Sequence, residues 1–152
     1  MAERRGPVAM RELPTVADTE ALGRELADLL RPGDLVVLDG PLGAGKTALT
    51  RGIAAGLGVA GRVSSPTFII ARQHRAGAGN SVPLVHVDAY RLGGDLAELD
   101  ALDLDADLEE AVVVVEWGLG VVEHLTDRHL RVRLRREPET ETRTATWEWI
   151  DG

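Results

Sequence analysis

The sequence predicts an α/β protein: one mixed β-sheet with a parallel centre and antiparallel edge strands, flanked by helices. Two short, continuous apolar runs, residues 35–38 and 111–115, are typical of strands that are buried on both faces. Segments with apolar residues at helical spacing separate strands in the first part of the chain, which favours parallel pairing there. The last part contains strands with alternating polar and apolar residues, which favour an antiparallel edge.

The length of 152 residues is typical of one domain, so we expect a single domain over residues 1–152. Residues 1–14 carry charges, glycine and proline without periodicity, and we expect a loose N-terminal segment there. A helix is predicted over 20–30, capped by Asp18 or Thr19, because leucines recur there at helical spacing.

The remaining elements follow in chain order. The run at 35–38 predicts a buried strand, and the glycine-rich segment 40–47 leads into a helix over 47–57 that Gly58 ends. Residues 95–110 contain eight acidic residues and no basic one, with spaced leucines, which predicts a short amphipathic helix and turn. Further strands are predicted over 67–71, 84–87, 111–115, 129–135 and 143–150, with an apolar turn or helix near 119–125 and polar loops at 77–81 and 137–142.

Composition excludes several classes of protein. The chain has no cysteine, which rules out disulfide scaffolds, thiol catalysis and cysteine zinc sites. It has no apolar run long enough to span a membrane and no readable secretory signal, so we expect a cytoplasmic protein without a membrane partner. A net charge of −8 and few aromatic side chains (3 Trp, 1 Tyr, 1 Phe) disfavour direct binding of nucleic acid.

Residues 40–47 read GPLGAGKT and fit the phosphate-binding pattern G-x-x-x-x-G-K-[ST]. Glycines let several backbone N–H groups approach a phosphate chain, and the following helix adds the positive end of its dipole. Lys46 is the sole lysine of a chain that otherwise uses arginine, and its ammonium group can reach the β and γ phosphates. The Thr47 hydroxyl can bind Mg²⁺. The motif therefore predicts nucleotide binding.

ATP is the expected nucleotide, because guanine-selective proteins use an [NT]-K-x-D motif and this chain has no second lysine. A phosphate loop also needs a carboxylate at the end of a neighbouring strand. Glu116 and Asp88 both follow predicted strands. The run before Glu116 is the more continuously apolar, so we expect its strand to lie beside the phosphate-loop strand. The alternative for each is an acid that caps its strand or pairs with an arginine.

Other polar and aromatic residues have two interpretations each. In the segment SPTF at 65–68, the proline fixes the direction of Thr67, which can either sense a γ phosphate or lead into a strand. His86 alternates with two valines, and we favour a histidine packed in a strand over a catalytic base. Trp147 and Trp149 alternate on one strand, and we favour core or edge cover over a stacking pair.

Four segments, in this order and spacing, resemble the TsaE (YjeE) family, the small bacterial ATPases of tRNA threonylcarbamoyladenosine synthesis. They are GPLGAGKT at 40–47, SPTF at 65–68, HVDAYRL at 86–92 and EW at 116–117. The resemblance covers residues 19–148. It implies a phosphate-loop fold that binds ATP and Mg²⁺ and hydrolyses ATP slowly, in dependence on its partners TsaD and TsaB. Those partners modify adenosine 37 of tRNAs reading codons that start with A, so contact with tRNA is indirect, through the complex.

The resemblance also implies roles for individual residues. Thr47 and Glu116 bind Mg²⁺, Asp88 orients water or is linked to the metal, and Thr67 has a switch-like role. Residues 16–19 are candidates for adenine contacts. The catalytic set is Lys46, Thr67, Asp88 and Glu116, and the nucleotide-binding set is Leu42, Gly43, Ala44, Gly45, Lys46, Thr47, Ala48, Trp117 and, by a looser match, Arg143.

Two other functions stay open on the residues alone. Compact phosphate-loop kinases have similar lengths, so a phosphotransferase acting on a small molecule is the alternative enzyme, although residues 119–125 offer little chain for a lid. A nucleotide-sensing module without enzymatic function is the other. The acidic segment 95–110 can dock a basic patch of a partner, but we favour the simpler interpretation, a solvated helix face.

Overall fold

The computed structural model describes residues 9–40, 45–58, 71–74, 84–88, 111–116, 128–137, 139–140 and 142–151, and of residues 71–74 and 88 it describes the backbone alone. These parts of the chain form two helices and seven strands. In chain order they are β1 (Ala9–Leu13), α1 (Val16–Ala27), β2 (Leu35–Asp39), α2 (Lys46–Leu57), β3 (Ala71–His74), β4 (Leu84–Asp88), β5 (Val112–Glu116), β6 (Arg128–Arg136) and β7 (Arg143–Asp151).

The described strands form one sheet in the order β1-β7-β6-β2-β5-β4-β3. Four neighbouring strands are parallel, in the order β6-β2-β5-β4, so that β2 and β5 each lie between two parallel partners. Strands β7 and β1 continue one edge in antiparallel pairing, and β3 continues the other. The predicted fold class, a mixed sheet with a parallel centre and antiparallel edges, is confirmed.

The centre of the sheet is buried on both faces. Val36 and Leu38 of β2 belong to a core shared with the two helices, and Leu35 and Val37, which point to the opposite face, are also fully buried. This double burial explains the continuous apolar runs, because neither face of these strands meets water. The rest of the core consists chiefly of Leu13, Leu22, Leu26, Leu49, Ile53, Leu84, Val112, Val114, Leu130, Val132 and Leu134.

Helix α1 begins earlier than predicted. The Thr15 hydroxyl accepts from the Asp18 backbone N–H, and the Asp18 carboxylate accepts from the Thr15 N–H. This capping box satisfies two backbone donors of the first turn and makes Thr15 the N-cap. The predicted caps, Asp18 and Thr19, therefore lie inside the helix. The helix ends at Ala27 rather than at residue 30.

The expectation of a loose segment over 1–14 is wrong for its second half. Ala9–Leu13 forms an edge strand that pairs with β7 in antiparallel register. Leu13 is fully buried there, and Arg11 forms a two-bond ion pair with Glu25 of α1. The middle three residues of this strand are exposed, so its sequence lacks the apolar alternation by which a strand is predicted. Residues 1–8 lie outside the described residues.

The two helices pack closely through glycines. A methyl group on Gly52 of α2 would collide with the Glu20 carbonyl of α1, and one on Gly23 of α1 would collide with the Leu49 carbonyl of α2. Helix α2 ends as predicted at Gly58, which has a left-handed backbone (φ 76°). Neither described helix is long and apolar enough to cross a membrane.

The other strand predictions agree with the structure to within one residue at each end. Strands β4, β5, β6 and β7 stand where 84–87, 111–115, 129–135 and 143–150 were predicted. The strand predicted at 67–71 is described only from Ala71, where β3 begins. The elements predicted at 77–81, 95–110 and 119–125 lie outside the described residues.

Candidate nucleotide-binding site

The glycine-rich segment connects the central strand to a helix. Strand β2 ends at Asp39 and α2 begins at Lys46, with Gly45 as its N-cap. Gly45 has a φ of 105°, a left-handed conformation that favours glycine. A glycine cap has no side chain to accept from the N–H groups of the first turn, so those donors are available to an anion.

Lys46 turns back toward the start of the loop. Its side-chain Nζ donates to the carbonyl oxygen of Gly40 at 2.6 Å, and the residue is 5% exposed. A buried ammonium group is costly without hydrogen bonds, and the loop carbonyl supplies one. Thr47 and Ala48 follow in the first turn of α2. The other predicted loop residues, Leu42, Gly43 and Ala44, lie outside the described residues.

The two candidate carboxylates end neighbouring parallel strands. Glu116 is the last residue of β5 and lies in register with Leu38 of β2, so the prediction that its strand adjoins the phosphate-loop strand is confirmed. Asp88 is the last residue of β4 and lies in register with Glu116. Because carboxyl ends of parallel strands meet at one edge of a sheet, both residues stand at the edge from which the loop emerges.

Glu116 has a buried partner that the sequence analysis did not assign. The Nε2 atom of His86 lies 2.5 Å from Oε2 of Glu116, and the imidazole is fully buried. His86 is therefore packed within a strand, as predicted, but it also binds the candidate metal ligand. The usable signal was a polar residue inside the strand that ends at Asp88: in parallel pairing, His86 lies two residues before the register partner of Glu116 and on the same face of the sheet.

The first turn of α1 borders the loop. A methyl group on Gly45 would lie 3.6 Å from the Thr19 Cγ2 atom, so the two segments are in van der Waals range. Thr19 is buried and Val16 is exposed. The candidate segment 16–19 is thereby next to the phosphate loop, although adenine contact itself stays a prediction.

Arg143 lies farther away but at the same edge of the sheet. It begins β7 and pairs with Arg136 at the end of β6, a strand that runs parallel to β2. Its strand is second from β2, roughly 10 Å away at ordinary strand spacing. Two predicted site residues, Thr67 and Trp117, lie outside the described residues.

Fold and site together define a phosphate-loop protein of the α/β class: a central parallel strand, a glycine-capped loop and a helix that starts with a buried lysine. A family model described as "Threonylcarbamoyl adenosine biosynthesis protein TsaE" matches residues 13–145. The chain belongs to the TsaE family.

Individual relatives agree with this assignment. A protein of Streptomyces coelicolor named tRNA threonylcarbamoyladenosine biosynthesis protein TsaE is 63% identical over 115 residues, covering 76% of this chain and 77% of that one. The protein of the same name from Mycobacterium tuberculosis is 56% identical over 142 residues, 90% of this chain and 84% of the other. The crystal structure of YdiB from Bacillus subtilis superimposes with a TM-score of 0.77 at 29% identity, covering 99% of this chain and 90% of that one.

Proposed function

We propose that this protein binds and hydrolyses ATP in the presence of Mg²⁺ and supports a TsaB–TsaD complex that forms N6-threonylcarbamoyladenosine at position 37 of tRNAs reading codons that start with A. The observation that carries the proposal is the position of Lys46. The only ammonium side chain of the protein is buried at the exit of a glycine-rich loop, beside the carboxyl ends of the central strands. The tRNA pathway in this proposal comes from the names of the relatives.

The residues at this edge fit a triphosphate and its metal. Lys46 would neutralise the β and γ phosphates, and the N–H groups of the first turn of α2 would donate hydrogen bonds to phosphate oxygens. Mg²⁺ needs few protein oxygens, since phosphates and water complete its shell, and Thr47 and Glu116 would supply them. Mg²⁺ held there would act as a Lewis acid and stabilise the negative charge of the transferring phosphoryl group. In the described parts of the chain, no three His, Asp or Glu side chains are grouped to hold a metal by themselves.

Hydrolysis also needs an ordered water. Asp88, in register with Glu116 one strand farther from the loop, is the residue we assign to orient it. We expect the isolated protein to hydrolyse ATP slowly, because a partner would complete the site. Partner binding is also how a protein of net charge −8 would serve tRNA chemistry without its own tRNA surface.

A cellular assay tests the proposed function. Deletion of the gene should lower threonylcarbamoyladenosine in bulk tRNA, and the intact gene should restore it, while a gene carrying Lys46→Ala should not. An unchanged level after deletion would reject the pathway. Incubation of the purified protein with labelled ATP and a panel of small acceptors separates the enzyme classes, because an ATPase releases phosphate and a kinase labels an acceptor.

A further inference from the structure

His86 occupies a position where an apolar side chain would be expected. It is the third residue of β4, whose other residues before the final aspartate are leucine and valine, and it is fully buried. Its register partner is Val114 of β5, which belongs to the core beneath the helices. Burial of an imidazole is unfavourable unless its nitrogens are hydrogen-bonded.

Packing alone does not explain this histidine. Its Nδ1 atom has no hydrogen-bond partner among the described residues, so within that part of the chain only one of the two ring nitrogens is satisfied. The contact that the ring does make is with Glu116, across the β4–β5 pair. A carboxylate that binds a metal ion is ionised and only accepts, so Nε2 is the donor in that state.

The contact restricts the carboxylate. Glu116 is itself buried at 5% exposure, and one of its two oxygens, Oε2, is bound to the imidazole. A side chain with three rotatable bonds is thereby fixed at its tip through Oε2. Carboxylates that bind metals are commonly oriented by such hydrogen bonds, and loss of the orienting group typically weakens metal binding ~10–100-fold.

We propose that His86 is a positioning residue: its Nε2–H group orients Glu116 so that the remaining carboxylate oxygen is ready for Mg²⁺. This inference rests on the proposed function, since it concerns the same metal. It adds a residue that touches neither nucleotide nor metal and that acts through Glu116. The residue's contribution is to the Mg²⁺-dependent part of ATP binding, while contacts of the loop with phosphate are independent of it.

The test uses three replacements of His86 in the full-length protein. The amide nitrogen of glutamine can take the place of Nε2, whereas asparagine is one carbon shorter and leucine has no donor. Two quantities are measured. The first is the dissociation constant of ATP in EDTA, and the second is the Mg²⁺ concentration at which the change in ATP affinity caused by Mg²⁺ is half complete. His129→Leu is the matched control, because His129 is also buried but lies on β6 in register with Leu35, on the opposite face of the sheet.

We expect His86→Leu and His86→Asn to raise the half-effective Mg²⁺ concentration ~10-fold and to leave ATP affinity in EDTA within about twofold. His86→Gln should stay within about threefold of the unmodified protein, as should His129→Leu. If the leucine variant does not fold, the glutamine and asparagine pair decides the matter.

Two results would overturn the inference alone: an unchanged Mg²⁺ requirement in the asparagine variant, or an equal loss of ATP affinity with and without metal. An unmodified protein that binds ATP with no Mg²⁺ effect would instead overturn the metal assignment of the proposed function, and this inference with it.

Discussion

At the scale of single residues, the two acids at the strand ends differ in their surroundings. The carboxylate of Glu116 is buried and bound to His86, and its strand adjoins the loop strand directly. Asp88 ends the next strand out. For this reason the proposed function assigns the nearer and more restricted acid, Glu116, to the metal and the outer one, Asp88, to water.

Replacement of each acid by its amide separates these roles. Glu116→Gln should lower ATP hydrolysis ~100-fold and abolish the Mg²⁺ effect on binding, while ATP affinity in EDTA stays within about twofold. Asp88→Asn should slow hydrolysis more than it weakens MgATP binding. Steady-state phosphate release and equilibrium binding measure both. The opposite ranking of the two variants would exchange their roles.

A second residue-scale prediction concerns the ion pair that joins β1 to α1. Arg11 donates to both carboxylate oxygens of Glu25, at 2.6 and 3.0 Å, and lies 5.7 Å from the Trp147 ring centre. The hydrogen bond from Arg11 lowers the pKa of Glu25. Because that pKa is lower in the folded than in the unfolded protein, the pair stabilises the fold above the ordinary glutamate pKa of about 4.3.

The stabilisation should disappear as the pH falls through the lowered pKa of Glu25. Both side chains are largely exposed, so solvent screening limits the effect to ~1 kcal/mol or less. Urea unfolding of Glu25→Gln and the unmodified protein should differ at pH 7 and converge in acid. A difference that grows on acidification would contradict this account.

At the scale of elements, the contact between α1 and α2 depends on the absence of side chains. Gly52→Ala would gain ~1 kcal/mol of helix propensity in isolation. In the protein, its methyl group would meet the Glu20 carbonyl, a backbone atom that cannot rotate away. We therefore expect a loss of ~2 kcal/mol in the free energy of unfolding, measured with urea.

The matched control for this variant is Ala55→Gly, on the exposed side of the same helix. It should lower the free energy of unfolding by ~1 kcal/mol through propensity alone. If Gly52→Ala were instead more stable than the unmodified protein, the close approach of the two helices would be wrong.

Strand β1 offers a further element-scale prediction, since it was missed in the sequence. Leu13 is fully buried and Met10 is 70% exposed in the same strand. Leu13→Ala should cost ~2–5 kcal/mol, whereas Met10→Ala should change the free energy of unfolding by less than ~0.5 kcal/mol. Thermal and urea unfolding of the two variants measure this difference. Equal, small effects of the two substitutions would contradict the packing of β1 and support a loose segment there.

Elements with a strong periodic signal were predictable, and an edge strand was not. Strands β2 and β5 are buried on both faces, so their apolar runs are continuous and unambiguous. Within the described sheet, strand β1 pairs along one side only, and its middle three residues face solvent, so its sequence pattern is like that of a loop. The start of α1 was predicted too late because Asp18 takes part in the capping box as its third helical residue, whereas the N-cap itself is Thr15.

At the scale of the whole molecule, pairing order brings distant segments to one edge. Residues of β2, β4 and β5 lie far apart in the chain, but their carboxyl ends meet beside the loop, with the first turn of α1 against Gly45. The loop motif and the two acids could be predicted from the sequence. The contacts of His86 with Glu116 and of Thr19 with Gly45 depend on register and helix packing, which one sequence does not specify.

Lys46 is the residue on which the proposed nucleotide binding depends most directly. Its ammonium group is buried at the loop, where a triphosphate would replace the Gly40 carbonyl as its partner. Isothermal titration of ATP into the full-length protein and into Lys46→Ala, each checked for folding by circular dichroism, measures this. We expect the dissociation constant to rise at least ~100-fold in the variant, because a buried charged contact is lost. Equal ATP affinity in the two proteins would contradict the assignment of this loop as the nucleotide site.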